Sequence, residues 1–298
     1  MADIRQIEIV CAADEDGITA DDLLRRRGVS RRTITLLKRT ENGITRNNIL
    51  CRSIDRVSAG YIILLNIPER SGGAEPNPAL QVAVVYEDDD IIVYNKPCGM
   101  PVHQSMRHYT DTLANFFAVK YPNVPFRAVN RLDRDTSGLC IAAKNRLGAD
   151  IRTENIRKTY YAVCEGVIDN PIRIDAPIAR EYESMIKRVV REDGQRAVTN
   201  AVPLCSDGRH TLMEIHLETG RTHQIRVHFA HIGHPLAGDD LYGGSRQYIS
   251  RQALHCGKME FAHPVTSKRI EVFAAFPQDI VKLAQHFGGN INDFVEND

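Results

Sequence analysis

Apolar and polar positions change their spacing along this chain, and the change divides it. In ITADDLLRRRGVSRRTITLLKRTENG, residues 18–43, Leu23 and Leu24 and then Ile34, Leu36 and Leu37 fall into two short apolar runs. That spacing predicts two short helices. Thr19 is placed to cap the first, which opens on acids and closes on arginines, an order that suits the helix dipole, and Gly28 ends it. Ser30 is placed to cap the second, with Gly43 closing it. RVSAGYIILLNI then predicts a turn and a buried strand. ERSGGAEPNPAL, residues 69–80, is rich in Gly, Pro and Ser and predicts a linker.

Beyond residue 81 the texture is strand-like. QVAVVYEDDDIIVYNKP predicts two β segments around an acidic turn, and GLCIAAKN, TYYAVCEGVI, TLMEIHLET and RIEVFAAF carry β-branched and aromatic residues between polar breaks. DTLANFFAVKY, HQIRVHFAHIG and PQDIVKLAQHF predict amphipathic helices. Many strands with few helices predict an α+β domain around a largely antiparallel, mixed central sheet with flanking helices. No internal repeat is visible. The domains expected are a small one over 1–69, a linker over 70–80 and a large one over 81–298.

The bulk numbers agree with two domains. The chain has 298 residues, 43% hydrophobic and 26% charged, as an ordinary soluble protein has. No apolar run approaches the roughly 18 residues of a membrane span, and MADIRQIEIV lacks the pattern of a signal peptide. Seven scattered cysteines without a CxxC pair point to reduced thiols and a cytoplasmic location. The net charge is zero, but the window 25–46 holds eight basic residues against one acid, Glu41, a net of +7. That is either a solvated helix face or a phosphate-binding footprint.

Candidate chemistry centres on VNRLDRDTSGL, residues 129–139. Asp133 lies between Arg131 and Arg134, with Asp135 following, so it reads as a surface ion pair or as a reacting carboxylate. Metal binding fits less well, because no second acidic cluster with loop spacing is present. Gly138 opens the strand that follows and permits close backbone approach. His223, His228, His231 and His234 suggest zinc, yet they form no HExxH and do not share one helix face. Arg226 emerges beside a core face made by Ile225, Phe229 and Ile232, where it can meet a buried acid. Tyr160 and Tyr161 are neighbours on a strand and point to opposite faces, one able to face a cleft. GxGxxG, GxxxxGK[ST] and GxSxG are absent, which argues against nucleotide hydrolysis and dinucleotide redox chemistry.

With these residues in view, the chain resembles the RluA/RluD-type pseudouridine synthases. NRLDRDTSG is similar to their HRLDxxTSG signature, with Asn130 where the family often has His. EDDDIIVYNKPCGMPVH (87–103), KTYYAVCEG (158–166), TGRTHQIRVHFAHIGHPLAGDDLYG (219–243) and LHCGKMEFAHPVT (254–266) match further motifs in family order. The resemblance covers about residues 82–280. Residues 17–69 resemble, more loosely, the small S-four-like RNA-binding domain that often precedes this catalytic domain.

The resemblance implies an RNA pseudouridine synthase that needs no metal, cofactor or ATP. Asp133 would be the catalytic aspartate and Arg226 its bidentate partner. Tyr160 would be the active-site tyrosine, stacking on the base and helping to remove the carbon-5 proton. Arg131, Asn130, Thr136, Arg221, His223 and Gln224 are expected to hold the substrate. Arg25, Arg26, Arg27, Arg31, Arg32, Lys38 and Arg39 are expected to meet RNA phosphates. The expected partner is RNA, ribosomal before transfer RNA, with no DNA and no membrane, and the chain is expected to be a monomer. The rival readings are a non-catalytic RNA-binding assembly factor of this fold and a hydrolase using Asp133 as base, which would release free uracil.

Overall fold

Alternating burial along Ile62–Pro68 marks a strand with one wet face, and it anchors the first of three sheets among the described residues, the smallest being the pair Ile178–Arg180 and Arg188–Val190 of the large domain. The computed structural model describes residues 4–68, 72–151, 155–183 and 185–286. In the N-terminal module the strands are β1 (Ile4–Val10), β2 (Ile44–Arg46), β3 (Ile49–Leu50) and β4 (Ile62–Pro68), in the order β1-β4-β2-β3. Helices α1 (Ala20–Arg26) and α2 (Arg31–Leu37) start at the expected caps, where Thr19 and Ser30 side chains accept from Asp22 N and Thr33 N. Gly28 has φ +81° and ends α1. Gly43 does not close α2, which stops at Leu37. Lys38, Arg39 and Thr40 amides turn back onto Ile34, Leu36 and Leu37 carbonyls, and the chain makes another turn before Gly43. Leu23, Leu24, Ile34, Leu37, Ile63 and Leu65 are all buried in the module's core. Each contributes about 1.5–3 kcal/mol of burial.

The large domain holds β5 (Ala83–Glu87), β6 (Ile91–Lys96), α3 (Leu113–Lys120), β7 (Arg127–Ala128), β8 (Ser137–Ala143), β9 (Arg157–Glu165) and β10 (Ile172–Asp175). After these come β11 (Ile178–Arg180), β12 (Arg188–Val190), β13 (Val198–Ser206), β14 (His210–Leu217), α4 (Gln224–His231), β15 (Leu254–Ala262), β16 (Arg269–Phe273) and α5 (Gln278–His286). The sheet runs β10-β13-β14-β9-β15-β8-β6-β5, with β16 beside β15 and β7 beside β8. All pairs are antiparallel except β8 with β15, so the sheet is mixed as expected. The predicted elements are present; α5 reaches His286, and Phe287 lies outside the described residues. Strands β1–β3, β7, β10–β13 and the central strand β15 were not legible as such.

Strand β8 is buried throughout and divides two cores. Leu139 and Ile141 face the core that holds α4, whereas Cys140 and Ala142 face α3. At its start, Gly138 has φ +110°, and a Cβ there would sit 2.6 Å from Cys256 N on β15. Only glycine lets these two strands run so close.

Residues 72–80 lie along the large domain: Gly72 N bonds Asn123 O, Asn77 N bonds Asn115 O, and the Asn115 amide donates to Glu75 O. The N-terminal module docks at the Ala143 end of β8. There Leu147 enters the module's core, Asp150 accepts from Ser30 N (3.0 Å) and Thr33 Oγ1 (2.8 Å), and Arg5 reaches Asp90 at 3.2 Å. Strand β8 separates that contact from the Ser137 end by about 20 Å, at ~3.3 Å per residue. Among the described residues no helix is long and apolar enough to cross a membrane.

Candidate active site

At the Ser137 end of β8 the chain before it forms the turn that carries Asp133. Thr136 N bonds Asp133 O at 3.1 Å and closes that turn. The flanking arginine does not take the acid: Arg134 forks onto its other neighbour, Asp135, at 3.0 and 2.9 Å. Asp133 is left partly exposed, its side chain 27% accessible, and turned toward Arg226, whose Nη1 lies 3.3 Å from Oδ2. The simple surface ion pair with a sequence neighbour is therefore not what the fold builds.

The arginine's fork does not hold Asp133 either. Arg226 Nε and Nη2 donate to Asp239 at 2.6 and 2.7 Å, a bidentate pair whose carboxylate is wholly buried. The expectation of a bidentate Arg226–Asp133 pair is corrected: two donors are spent on Asp239, and one faces Asp133. The Tyr242 ring lies under the guanidinium, 5.0 Å from its carbon. Burial works against the arginine's charge, but bonding to Asp239 outweighs it and raises its pKa. Asp239 was missed in the sequence. Its signal was its place in GDDLYG, thirteen residues past Arg226, which periodicity does not reveal.

His223 sits just before α4 with a left-handed backbone, φ 57°. Its Nδ1 lies 2.8 Å from Tyr242 Oη, which accepts from Arg188 N at 2.9 Å. The phenol proton then points to Nδ1, and this network assigns the ring proton to Nε2, 3.8 Å from Asp133 Oδ2. Burial lowers the His223 pKa, with Asp133 opposing, so the ring is neutral near pH 7.

Tyr160 lines the same cleft from β9, while Tyr161 stacks on Phe276 across the sheet, 5.2 Å away, so the pair splits between faces. Burial raises the Tyr160 pKa well above the ordinary phenol value, and Cys256 and Asp133 add to it. The phenol is therefore protonated.

The remaining predicted residues divide. Arg131, Thr136, Arg221 and Gln224 line the half-open cleft beside Asp133. Gln224 has little left to offer, since its amide already bonds Thr219 Oγ1, Arg221 N, Val198 O and Thr199 Oγ1. Asn130 is not in the cleft. Its amide donates to Leu139 O and accepts from Ile141 N, pinning the turn to β8. Its expected contact with substrate gives way to that anchoring.

The basic window is less positive than its sequence. Arg25 and Lys38 pair with Asp21, and Arg27 with Glu15. Arg26 leans on Asp14 O at 3.4 Å. Arg31, Arg32 and Arg39 are exposed.

No metal centre forms from the four histidines. His228 bonds Thr199 Oγ1 and Ala176 O, and His234 bonds Glu165 O, so they face different partners. Asp88, Asp90 and His263 do cluster. However, His263 Nδ1 accepts from Val265 N and Thr266 N, which leaves a proton on Nε2, 2.9 Å from Asp88. That proton occupies the lone pair a metal would need, and the neutral ring instead faces the Asp88 carboxylate.

A mixed sheet thus carries a buried Arg–Asp pair beside a half-open carboxylate. The fold is that of the human RNA pseudouridylate synthase domain containing 1, with a TM-score of 0.56 at 24% identity over 72% of this chain and 97% of that one. A family model for RNA pseudouridylate synthase matches residues 90–231. An uncharacterized RNA pseudouridine synthase of Bacillus subtilis, YjbO, is 37% identical over 270 residues, 86% of this chain and 94% of its own. Ribosomal large subunit pseudouridine synthase D of Pseudomonas aeruginosa is 35% identical over 263 residues, 80% of this chain and 82% of its own. The chain belongs to the RluA/RluD-type pseudouridine synthase family.

Proposed function

We propose that this protein converts uridine to pseudouridine within structured RNA, with large-subunit ribosomal RNA as its substrate and Asp133 as the reacting group. One observation carries the reading: a carboxylate lining a half-open cleft with Tyr160, 3.3 Å from an arginine fixed by a second, buried acid. The preference for ribosomal RNA rests on the relatives named for the large ribosomal subunit, from Pseudomonas aeruginosa and Haemophilus influenzae.

The target base must leave its stack, at a cost of a few kcal/mol, smallest in loops and bulges. Once inside, it meets Tyr160 and Leu254. Asp133 attacks the anomeric carbon or removes the sugar's 2′ proton, and the bond from nitrogen 1 to the sugar breaks. Arg226 favours the ionised acid at the start. The freed uracil turns and bonds through carbon 5, and in the same step either the bond from Asp133 to the sugar breaks or the sugar takes back its 2′ proton from Asp133. The carbon-5 proton then leaves and nitrogen 1 gains one, so atoms balance without an outside reagent. A protonated Tyr160 accepts the carbon-5 proton only by passing its own onward, and the regenerated Asp133 carboxylate, which lines the same cleft, takes it. In this reading the N-terminal module supplies phosphate contacts through Arg31, Arg32 and Arg39.

The test is tritium release from unmodified large-subunit ribosomal RNA carrying tritium at uridine carbon 5. Wild-type protein is expected to release tritium and form pseudouridine. Asp133→Asn is expected to bind the RNA and release none. Turnover by purified Asp133→Asn would reject Asp133, and free uracil as product would indicate a hydrolase instead.

A further inference from the structure

The turn that carries Asp133 belongs to no strand, yet its successive residues are gripped from behind. Lys96, wholly buried, donates from Nζ to Arg134 O at 3.0 Å and to Pro97 O and Met100 O at 2.8 Å. The next carbonyl, Asp135 O, accepts from Arg251 Nη1 at 3.1 Å. Gln252 Nε2 reaches Thr136 Oγ1 at 3.2 Å, and Arg251 Nη2 reaches Ser137 Oγ at 3.4 Å.

Arg251 is the centre of this grip. It is 7% exposed and lies outside the cleft. Its Nη1 also bonds Gln252 O and Leu254 O, at 3.1 and 3.3 Å, so it ties the turn to the entry of β15. Leu254 itself lines the cleft. The guanidinium's charge is balanced by Asp279 on α5, through bonds of 2.6 Å from Nε and 2.9 Å from Nη2. Every N–H-bearing nitrogen is thus engaged. A planar fork with five donors can join a helix, a strand entry and a turn at once, and a lysine cannot.

We propose that Arg251 is a positioning residue for Asp133, held in register by the C-terminal helix through Asp279. The inference rests on the pseudouridine synthase reading and deepens it. Its content is that the aspartate's distance to the sugar is set partly from α5, on the far side of the turn from the substrate.

The experiment uses the full-length protein and the same tritiated large-subunit ribosomal RNA, with single-turnover rate and RNA affinity measured separately. Misplacing a reacting group by about 1 Å costs about 100-fold in rate. Arg251→Ala is therefore expected to lose about 100-fold in rate while its Kd stays within about threefold of wild type. Guanidinium chloride at tens of millimolar, against sodium chloride at equal ionic strength, is expected to restore at least about tenfold to Arg251→Ala and nothing to Asp133→Asn. Should Arg251→Ala not fold, Asp279→Asn serves: its side chain is 37% exposed, and a loss of about tenfold in rate at unchanged melting temperature is expected. A wild-type rate in Asp279→Asn, or a parallel loss of affinity and rate in Arg251→Ala without guanidinium rescue, would overturn the inference while leaving Asp133 standing. A wild-type protein that releases no tritium would overturn both.

Discussion

Replacing Asp239 with asparagine separates two things that its carboxylate does. The side chain is wholly buried and takes both Nε and Nη2 of Arg226. Removing one charge of a buried pair costs about 3–5 kcal/mol, and an amide that keeps one acceptor places Asp239→Asn near the lower end. A domain with ~5–15 kcal/mol in hand stays folded, and the urea midpoint falls. The second effect is on chemistry. With Asp239 neutral, the anion left near the guanidinium is Asp133, already 3.3 Å from Nη1. A small rotation converts that single contact into a two-bond pair and engages the reacting oxygen. An additional charged hydrogen bond is worth about 1.5–3 kcal/mol, so turnover should fall about 10- to 100-fold. Urea titration followed by circular dichroism, with tritium release at saturating RNA, reads both effects. Stability within about 1 kcal/mol of wild type would show that the pair is not what holds Arg226. A stability loss with unchanged turnover would reduce Asp239 to a structural anchor.

Tyr160→Phe keeps the ring and its core packing, so RNA affinity should hold while turnover drops; Tyr160→Ala should also lose about 3–5 kcal/mol of stability. Weaker RNA binding by Tyr160→Phe would place the hydroxyl on the RNA rather than in proton transfer. Acid should destabilise the fold. Burial lowers His255 to about 4 from 6.5, and His103, His223 and His228 shift the same way. The unfolded chain then binds protons first as pH falls through 6.5, and stability is lost between there and about 4. His255 alone should remove about 2 kcal/mol between pH 7 and 5. Urea midpoints against pH test this, and a flat profile would contradict the burial argument. In the N-terminal module, Arg31→Gln, Arg32→Gln and Arg39→Gln together should weaken RNA binding and flatten its salt slope by about 0.7–0.9 per lost phosphate contact. The same triple change with no effect on the slope would give that surface another role.

Local chemistry was the legible part of this sequence. Thr19 and Ser30 cap helices because a hydroxyl before an apolar run has few other uses, and Gly138 stands where two backbones meet. The strand carrying Tyr160 and Tyr161 was readable from β-branched and aromatic content. Strands β10–β13 were not, because 172–206 mixes Pro, Gly, Asp and Arg with its apolar residues and its pairing is supplied by β14 and by each other. The site was legible where a motif placed it and blurred where partnership is long-range. Arg226 was expected to fork onto Asp133, 93 residues away, and forks onto Asp239 instead. The charge of the 25–46 window and its offset by the acids Asp14, Glu15, Asp16, Asp21 and Asp22 just before it were countable in the sequence; which of them pair, Asp21 with Arg25 and Lys38 and Glu15 with Arg27, was not. Spacing in sequence reports what one element can present. It does not report which of several acids a buried cation will meet.

Gly138 sets the clearance between β8 and β15. The turn bearing Asp133 leaves one side of that gap and Leu254 leads into the other, so the jaws of the cleft are hinged where a methyl group has no room. An alanine there would force the two strands apart by roughly the depth of one carbon atom and shift the turn bearing Asp133 away from Leu254. The approach of the two strands behind the site is in this sense governed by an atom the chain leaves out.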